Sequence, residues 1–376
     1  MKKESNTRIW LSPPHMSGYE EDFVNDAFSS NFIAPNGANI EGFSSDIEKF
    51  LDNNSFVSVT NSGTSAIHLA LVLLNIKEGD DVLCQTKTFV ASVNPVSYLR
   101  AKPIFIDSER DTWNLCPELL EQAIKERHAQ GKRPKAIIAV HLYGMPYKVN
   151  EIHAIANAYG IPVIEDSAEA FGSIYNKNKC GTFGDFAILS FNGNKIITTS
   201  TGGALVCRNK VDKAKANYLA NQAKEEGYEY NHKALGYNYG MSNVLAGIGR
   251  GQMKVLENYV RLRRNNFNFY KETLSHITDI QFQEEPHNCK SNRWLSCILL
   301  DSQKTRDAIF NLLKVKNIES RPSWKPIHLQ PLYKDSLSFL NGTSEEIYHK
   351  GLCLPSGSKL NKQDLIRITN IIKSYF

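Results

Sequence analysis

Residues 136–170 read AIIAVHLYGMPYKVNEIHAIANAYGIPVIEDSAEA. Ala136–Val140 is an unbroken apolar run, the mark of a strand covered on both faces. VNEIHAIANAYG, residues 149–160, carries its apolar residues at helical spacing and ends on a glycine, which favours a helix stop. Pro162-Val-Ile164 is a second apolar run. A strand, a helix and a strand in so short a span form a crossover unit, which places its two strands side by side and parallel. The second strand runs directly into acids, Glu165, Asp166 and then Glu169.

The same rhythm extends outward. Towards the N-terminus, Phe56–Thr60 precedes the helical AIHLALVLL, Val82–Gln85 precedes FVASVNPVSYL, and Pro103–Ile106 precedes PELLEQAIKERHAQ. Towards the C-terminus, Phe186–Leu189 and Ala204–Cys207 add two more strands. The alternation predicts an α/β fold on a mainly parallel, seven-stranded sheet. Two short helices are expected in residues 20–52, around the turn-rich APNGAN. From about Met241 a long helical pattern begins. Beyond it come helices near 303–315 and 362–374 and strands near 293–300. The expected division is a large α/β domain, residues 1–250, and a smaller C-terminal α/β domain, residues 251–376.

Composition bounds the function. With 376 residues, 41% hydrophobic and 22% charged, the chain fits an ordinary globular protein. Its net charge of +5 is scattered, which argues against a nucleic-acid partner. The N-terminal MKKESNTRIWLSPPHM has no apolar core of the kind a secretory leader needs. No window has the apolar length of a membrane span, and the expected location is cytoplasmic. The 7 cysteines form no C-x-x-C pair and read as reduced thiols. The histidines are dispersed, so no metal is expected.

In an open parallel sheet, ligands bind beyond the carboxyl ends of the strands. Three features lie there. After Phe56–Thr60 comes Asn61-Ser62-Gly63-Thr64-Ser65, a small-residue loop opening a helix. It is either a plain N-cap or a cradle whose free N–H groups and helix dipole hold a phosphate. After Ile164 come Glu165, Asp166 and Glu169. They are either first-turn acids favoured by a helix dipole or carboxylates set against a cationic ligand atom. Lys195 stands in a turn, Ser190-Phe-Asn-Gly-Asn-Lys195, between two apolar strands. It is either a solvated lysine at a strand end or a nucleophilic amine. A lysine, an aspartate and a phosphate cradle at the ends of one sheet are the set that pyridoxal 5′-phosphate requires.

The runs Glu165-Asp-Ser-Ala-Glu-Ala-Phe-Gly172, Gly181-Thr-Phe-Gly184 and Ser190–Lys195 resemble the signature of the DegT/DnrJ/EryC1/StrS nucleotide-sugar aminotransferases. The resemblance extends to LSPPHM, SGTSAIHLAL, GYNYGMSN, SNRWLS, ESRPSWKP and CLPSGS, nearly the whole chain. Within the family the chain is most similar to the PglE type, which aminates UDP-4-keto-6-deoxy-N-acetylglucosamine on the route to bacillosamine-type glycans. The resemblance implies the pyridoxal-phosphate fold of type I, the aspartate aminotransferase-like architecture. It implies that Lys195 forms the covalent link to the cofactor, that Asp166 pairs with the pyridine nitrogen and that Glu169 lies near the ring hydroxyl. It implies a phosphate held by Gly63, Thr64, Ser65 and Ser190, and Phe89 stacked on the ring. Asn238 is expected to reach the cofactor phosphate of a second subunit, so that a homodimer shares its active sites. Asn292, Arg293, Trp294, Arg321 and His328 are expected to contact the nucleotide-sugar, and L-glutamate to donate the amine. Gly240 stands where the family usually has arginine. Relatives that remove a sugar hydroxyl have histidine in place of the lysine, so Lys195 favours transamination. The alternatives are a GDP-perosamine or dTDP-3-amino sugar type of transaminase, or a non-catalytic cofactor-binding regulator.

Overall fold

The computed structural model describes residues 7–52 and 54–376. The charged start of the chain, residues 1–6, on which part of the leader-peptide reading rests, lies outside the described residues. Seven strands carry the main sheet: β1 Phe56–Thr60, β2 Asp81–Gln85, β3 Lys102–Ile106, β4 Ala136–Val140, β5 Val163–Asp166, β6 Phe186–Ser190 and β7 Gly203–Cys207. Their order across the sheet is β1-β7-β6-β5-β4-β2-β3, and a two-residue strand, Ser338–Phe339, closes the far edge against β3. β7 alone runs against its neighbours; β6, β5, β4, β2 and β3 are parallel in sequence across the sheet. The two strands of the opening stretch are the parallel neighbours β4 and β5.

Burial explains why these runs became strands. β2, β4 and β7 are buried at every position, as expected of strands sandwiched between helices. On one face Leu69, Val82, Cys84, Ile138, Ile164, Ile188 and Leu205 pack together, with Leu219 from the helix Lys210–Ala220. On the other face Leu83, Ile104, Ile137, Ala139 and Val163 pack against the helices Pro117–Ala129 and Val149–Tyr159. The latter helix stops at Gly160, whose φ of 63° needs no Cβ. The N-terminal helices Tyr19–Ser29 and Ala38–Phe50 flank the expected turn.

The long helical pattern after Met241 resolves into two helices, Asn243–Met253 and Leu256–Leu274. Beyond them lies a four-stranded antiparallel sheet, in the order Ile280–Phe282, Ser296–Leu300, Gly351–Leu354, Arg321–Pro322. The helices Gln303–Val315 and Lys362–Lys373 cover it, with Ile298, Ile309, Leu313, Leu352 and Ile368 fully buried between them. Ile9 joins this core and bridges Ile318, so the start of the chain packs with its C-terminal part. All seven cysteines are free thiols. No helix among the described residues is long and apolar enough to cross a membrane.

Candidate active site

The carboxyl ends of the strands and the C-terminal sheet enclose a cavity of about 870 Å³. Gly63, Thr64, Asp166, Glu169, Ser190 and Lys195 line its floor, and Trp10, Trp294, Arg321 and Trp324 form its roof and rim. That volume is at the upper end of the range for small-molecule sites.

Lys195 leaves the sheet through a pinned turn. Its N–H donates to the Asn192 carbonyl at 3.0 Å. The next carbonyl, of Asn194, accepts from Ser12 Oγ and from Trp294 Nε1, each at 2.7 Å. The Lys195 side chain then rises into the cavity. Its Nζ lies 4.3 Å from the centre of the Trp294 ring and 3.4 Å from Glu169 Oε1. The indole face attracts the ammonium without fixing it, and the carboxylate is only loosely engaged.

The adjacent acids Glu165 and Asp166 do different work. Glu165 is fully buried and accepts from His141 Nε2 at 2.8 Å, from Ser167 Oγ, and from the N–H groups of Gly181, Phe183 and Gly184. Burial pushes its acid strength one way, but His141 and the N–H donors outweigh it and hold the carboxyl down at about 2. Glu165 thus binds the loop 181–184 to β5. His141, Glu165 and Cys180 bring potential metal-ligand atoms within 4.8 Å of one another, but these hydrogen bonds already use the carboxylate. Asp166 instead turns to the cavity. Ser92 Oγ donates to its Oδ2 at 2.6 Å and the Ala168 N–H to its Oδ1 at 3.1 Å.

Glu169 is 4% exposed. Burial raises its carboxyl to about 7, against the opposing pull of Lys195 and of the Tyr143 N–H, which donates to Oε2 at 2.7 Å; the Asp166 charge raises it further. Tyr143 is held for this contact in left-handed backbone, φ 56°.

The helix Gly63–Leu73 begins at the carboxyl end of β1, with Ser62 as its N-cap. Ser62 Oγ accepts from the Ser65 N–H at 3.1 Å, and Ser65 Oγ donates to Asn61 Oδ1 at 2.7 Å. The N–H groups of Gly63 and Thr64 precede any intrahelical acceptor and face the cavity end of the dipole. Two glycines keep this end open. A Cβ on Gly63 would come 3.2 Å from the Ser190 Cβ, and one on Gly203 would strike the Gly63 nitrogen at 2.3 Å.

A family model for these enzymes matches residues 15–373. The chain belongs to the DegT/DnrJ/EryC1/StrS aminotransferase family. It is 46% identical, over 98% of this chain and 96% of the relative, to EpsN of Bacillus subtilis (strain 168), named as a pyridoxal phosphate-dependent aminotransferase. It is 34% identical to the GDP-perosamine synthase of Escherichia coli O157:H7, over 96% of this chain and 97% of that one. Its fold matches the aminotransferase TlmJ from Streptoalloteichus hindustanus with a TM-score of 0.91 at 25% identity, over 98% of each chain. The protein is a pyridoxal-phosphate-dependent aminotransferase of fold type I.

The residues of this aminotransferase suit that cofactor: the Lys195 amine and the Asp166 carboxylate line one cavity, and two N–H groups without intrahelical acceptors open beside Ser190. Phe89 lies on the cavity wall, 53% exposed, with its ring 5.5 Å from Trp324. Ser65 sits one step behind the wall, its hydroxyl spent within the loop.

Among the five residues expected to contact the sugar, the structure sorts two from three. Trp294 and Arg321 line the cavity. Asn292 does not: it is fully buried, donating to the Glu169 and Phe171 carbonyls at 2.8 and 3.0 Å and accepting from the Trp294 N–H. It supports the loop beneath Glu169. Arg293 points away from the cavity, its guanidinium 3.7 Å from the centre of the Phe267 ring and bonded to the Gln283 carbonyl. His328 is held between Thr86 Oγ1, at 2.7 Å, and Glu345 Oε1, at 3.3 Å. Asn238 is exposed and outside the cavity of its own chain; its carbonyl accepts from Asn61 Nδ2 at 3.0 Å. Gly240 forms a bridge with Thr60, and a Cβ there would sit 2.6 Å from Asn221 Oδ1, a local reason for glycine.

Ser92, Trp10 and Trp324 were not singled out by sequence reasoning. Trp324 lies between Arg321 and His328 in a motif already noted, where a large aromatic two residues from Pro322 and Pro326 was the available signal. Ser92 had none, because serine in a short helix has many ordinary uses.

Proposed function

We propose that this aminotransferase moves an amino group from L-glutamate to C4 of UDP-4-keto-6-deoxy-N-acetylglucosamine, for bacillosamine-type surface glycans. It works in the cytoplasm as a homodimer with shared active sites. The observation that carries the reading is the convergence of Lys195, Asp166 and the start of the helix Gly63–Leu73 on one cavity.

When bound, pyridoxal 5′-phosphate supplies an aldehyde that carries the amine and a ring that withdraws electrons from the reacting carbon. Gly63 and Thr64 N–H groups, with Ser190 and Ser65 nearby, would hold its phosphate. Lys195 Nζ would hold it covalently and, as a free amine, would carry the proton at the substrate carbon. Asp166 would hold the proton of the pyridine nitrogen; Ser92 and the Ala168 N–H keep that carboxylate oriented. Glu169, whose carboxyl burial raises to about 7, would meet the ring hydroxyl. Phe89 would cover the ring. Trp294, Arg321 and Trp324 give the roof flat faces and a cation, which suit a nucleoside diphosphate.

The dimer reading draws on exposed apolar residues. Tyr228, Tyr230 and Leu235 precede Asn238, Phe28 lies in the last turn of the first helix, and Phe32 and Ile33 follow it; all are more than half exposed in the single chain. A second copy seated there would bring Asn238 to a neighbouring phosphate. A GDP-linked 4-keto sugar is the second reading, favoured by the likeness to GDP-perosamine synthase.

The test offers L-glutamate and a panel of UDP-, GDP- and dTDP-linked 4-keto sugars to the purified protein. Turnover is expected with the UDP-N-acetyl sugar, and Lys195→Ala should lose it by several orders of magnitude. Preference for the GDP sugar would move the assignment to the second reading. Near-normal turnover by Lys195→Ala would overturn the mechanism.

A further inference from the structure

Arg263, on the helix Leu256–Leu274, is 1% exposed and points under the cavity floor. Its Nη1 donates to Ser12 Oγ at 3.1 Å and to the Trp294 carbonyl at 2.7 Å, and its Nη2 lies 3.5 Å from the Lys195 carbonyl. Its Nε has no partner. Among the described residues no carboxylate is within 4.0 Å of it. The next residue shows the usual arrangement: Arg264 pairs with Glu285 at 2.8 Å, partly in water. Burial weakens the Arg263 guanidinium as a base, down to about 9, yet leaves it charged at neutral pH. A buried cation bonded only to neutral groups is an expensive way to hold a fold together.

Its contacts converge on one point. Ser12, which accepts from Arg263, itself donates to the Asn194 carbonyl. Trp294, whose carbonyl accepts from Arg263, donates its indole N–H to the same Asn194 carbonyl and sets its ring centre 4.3 Å from the Lys195 amine. Both routes end on the residue before Lys195, and the third contact is to Lys195 itself.

We propose that Arg263 is the positioning residue of Lys195: its guanidinium locks the Ser12, Asn194–Lys195 and Trp294 segments so that the amine is aimed at the cofactor aldehyde. The proposal rests on the assignment of Lys195 above. The reaction it assists is the condensation of that amine with the aldehyde, in which a C=N bond forms and water leaves. Such a step depends steeply on alignment; a displacement of about 1 Å can cost about a hundred-fold.

The experiment separates alignment from general binding. Dissociation constants of the cofactor-free protein are measured for pyridoxal 5′-phosphate, which can condense, and for pyridoxamine 5′-phosphate, which cannot. Their ratio reports the lysine's contribution. Arg263→Met, which keeps an unbranched apolar stem, is expected to lower the ratio about ten-fold or more while changing the pyridoxamine phosphate constant less than about three-fold. Arg263→Lys should recover part of the ratio. Equal weakening for both ligands, or no change in either, would overturn the proposal. If Arg263→Met does not fold, Ser12→Ala cuts one of the same routes and is read the same way. A wild-type ratio in Lys195→Ala would instead refute the Lys195 assignment, and so is distinguishable from failure of Arg263 alone.

Discussion

Glu169→Gln should change how the cofactor-free protein's stability depends on pH. A carboxyl raised to about 7 from an ordinary 4.5 binds its proton more tightly folded than unfolded. Its contribution to stability is therefore fully present below the unfolded value and is lost as pH rises towards the folded one. The whole shift corresponds to about 3 kcal/mol, and about 2 kcal/mol of it falls between roughly pH 5.5 and pH 8. The side chain is 4% exposed, so water screens little of this. Glutamine cannot ionise and keeps the acceptor that meets the Tyr143 N–H. Urea unfolding of both proteins across that range should show the variant gaining on the parent by about 2 kcal/mol as pH rises. Parallel curves, with a constant offset, would refute the argument that burial holds Glu169 partly protonated beside Lys195.

Asp166→Asn should still bind the cofactor, since Ser92 can donate to an amide oxygen, but turnover should fall by about a hundred-fold or more because the electron-withdrawing ring loses its charged partner; equal rates in stopped-flow half-reactions would exclude the role. Mixing inactive Lys195→Ala with Asn238→Asp subunits should restore partial activity if subunits exchange, because a hybrid dimer with Asn238 acting across the interface has one intact site. No recovery, or a fully active monomer by light scattering, would exclude it.

Sequence alone revealed most of the scaffold. Runs such as AIIAV and DVLCQ are buried on both faces and could be little else than central strands. Ser338–Phe339 could not be foreseen, since two residues carry no period and the strand exists only because β3 offers an open edge. At the site, Lys195, Asp166 and the Gly63 loop stood out because strand ends concentrate chemistry. Glu165 and Asp166 are chemically alike, and only the fold shows one clamping a loop and the other facing the cavity. In Asn292-Arg293-Trp294 the same limit appears. The chain kinks at Arg293, φ 52°, so three neighbouring side chains take three directions and only the indole reaches the ligand space. Spacing along a sequence does not register such a kink.

The edge strand Ser338–Phe339 has a mechanical consequence. It stitches the C-terminal part to β3, while the Ile327 N–H and His328 hold Thr86, just beyond β2. The C-terminal part is thereby tied to the carboxyl edge of the parallel sheet at separated points. Both amino-group donor and acceptor must reach Lys195 in this one cavity, each leaving before the other enters, so an excess of either one obstructs the other.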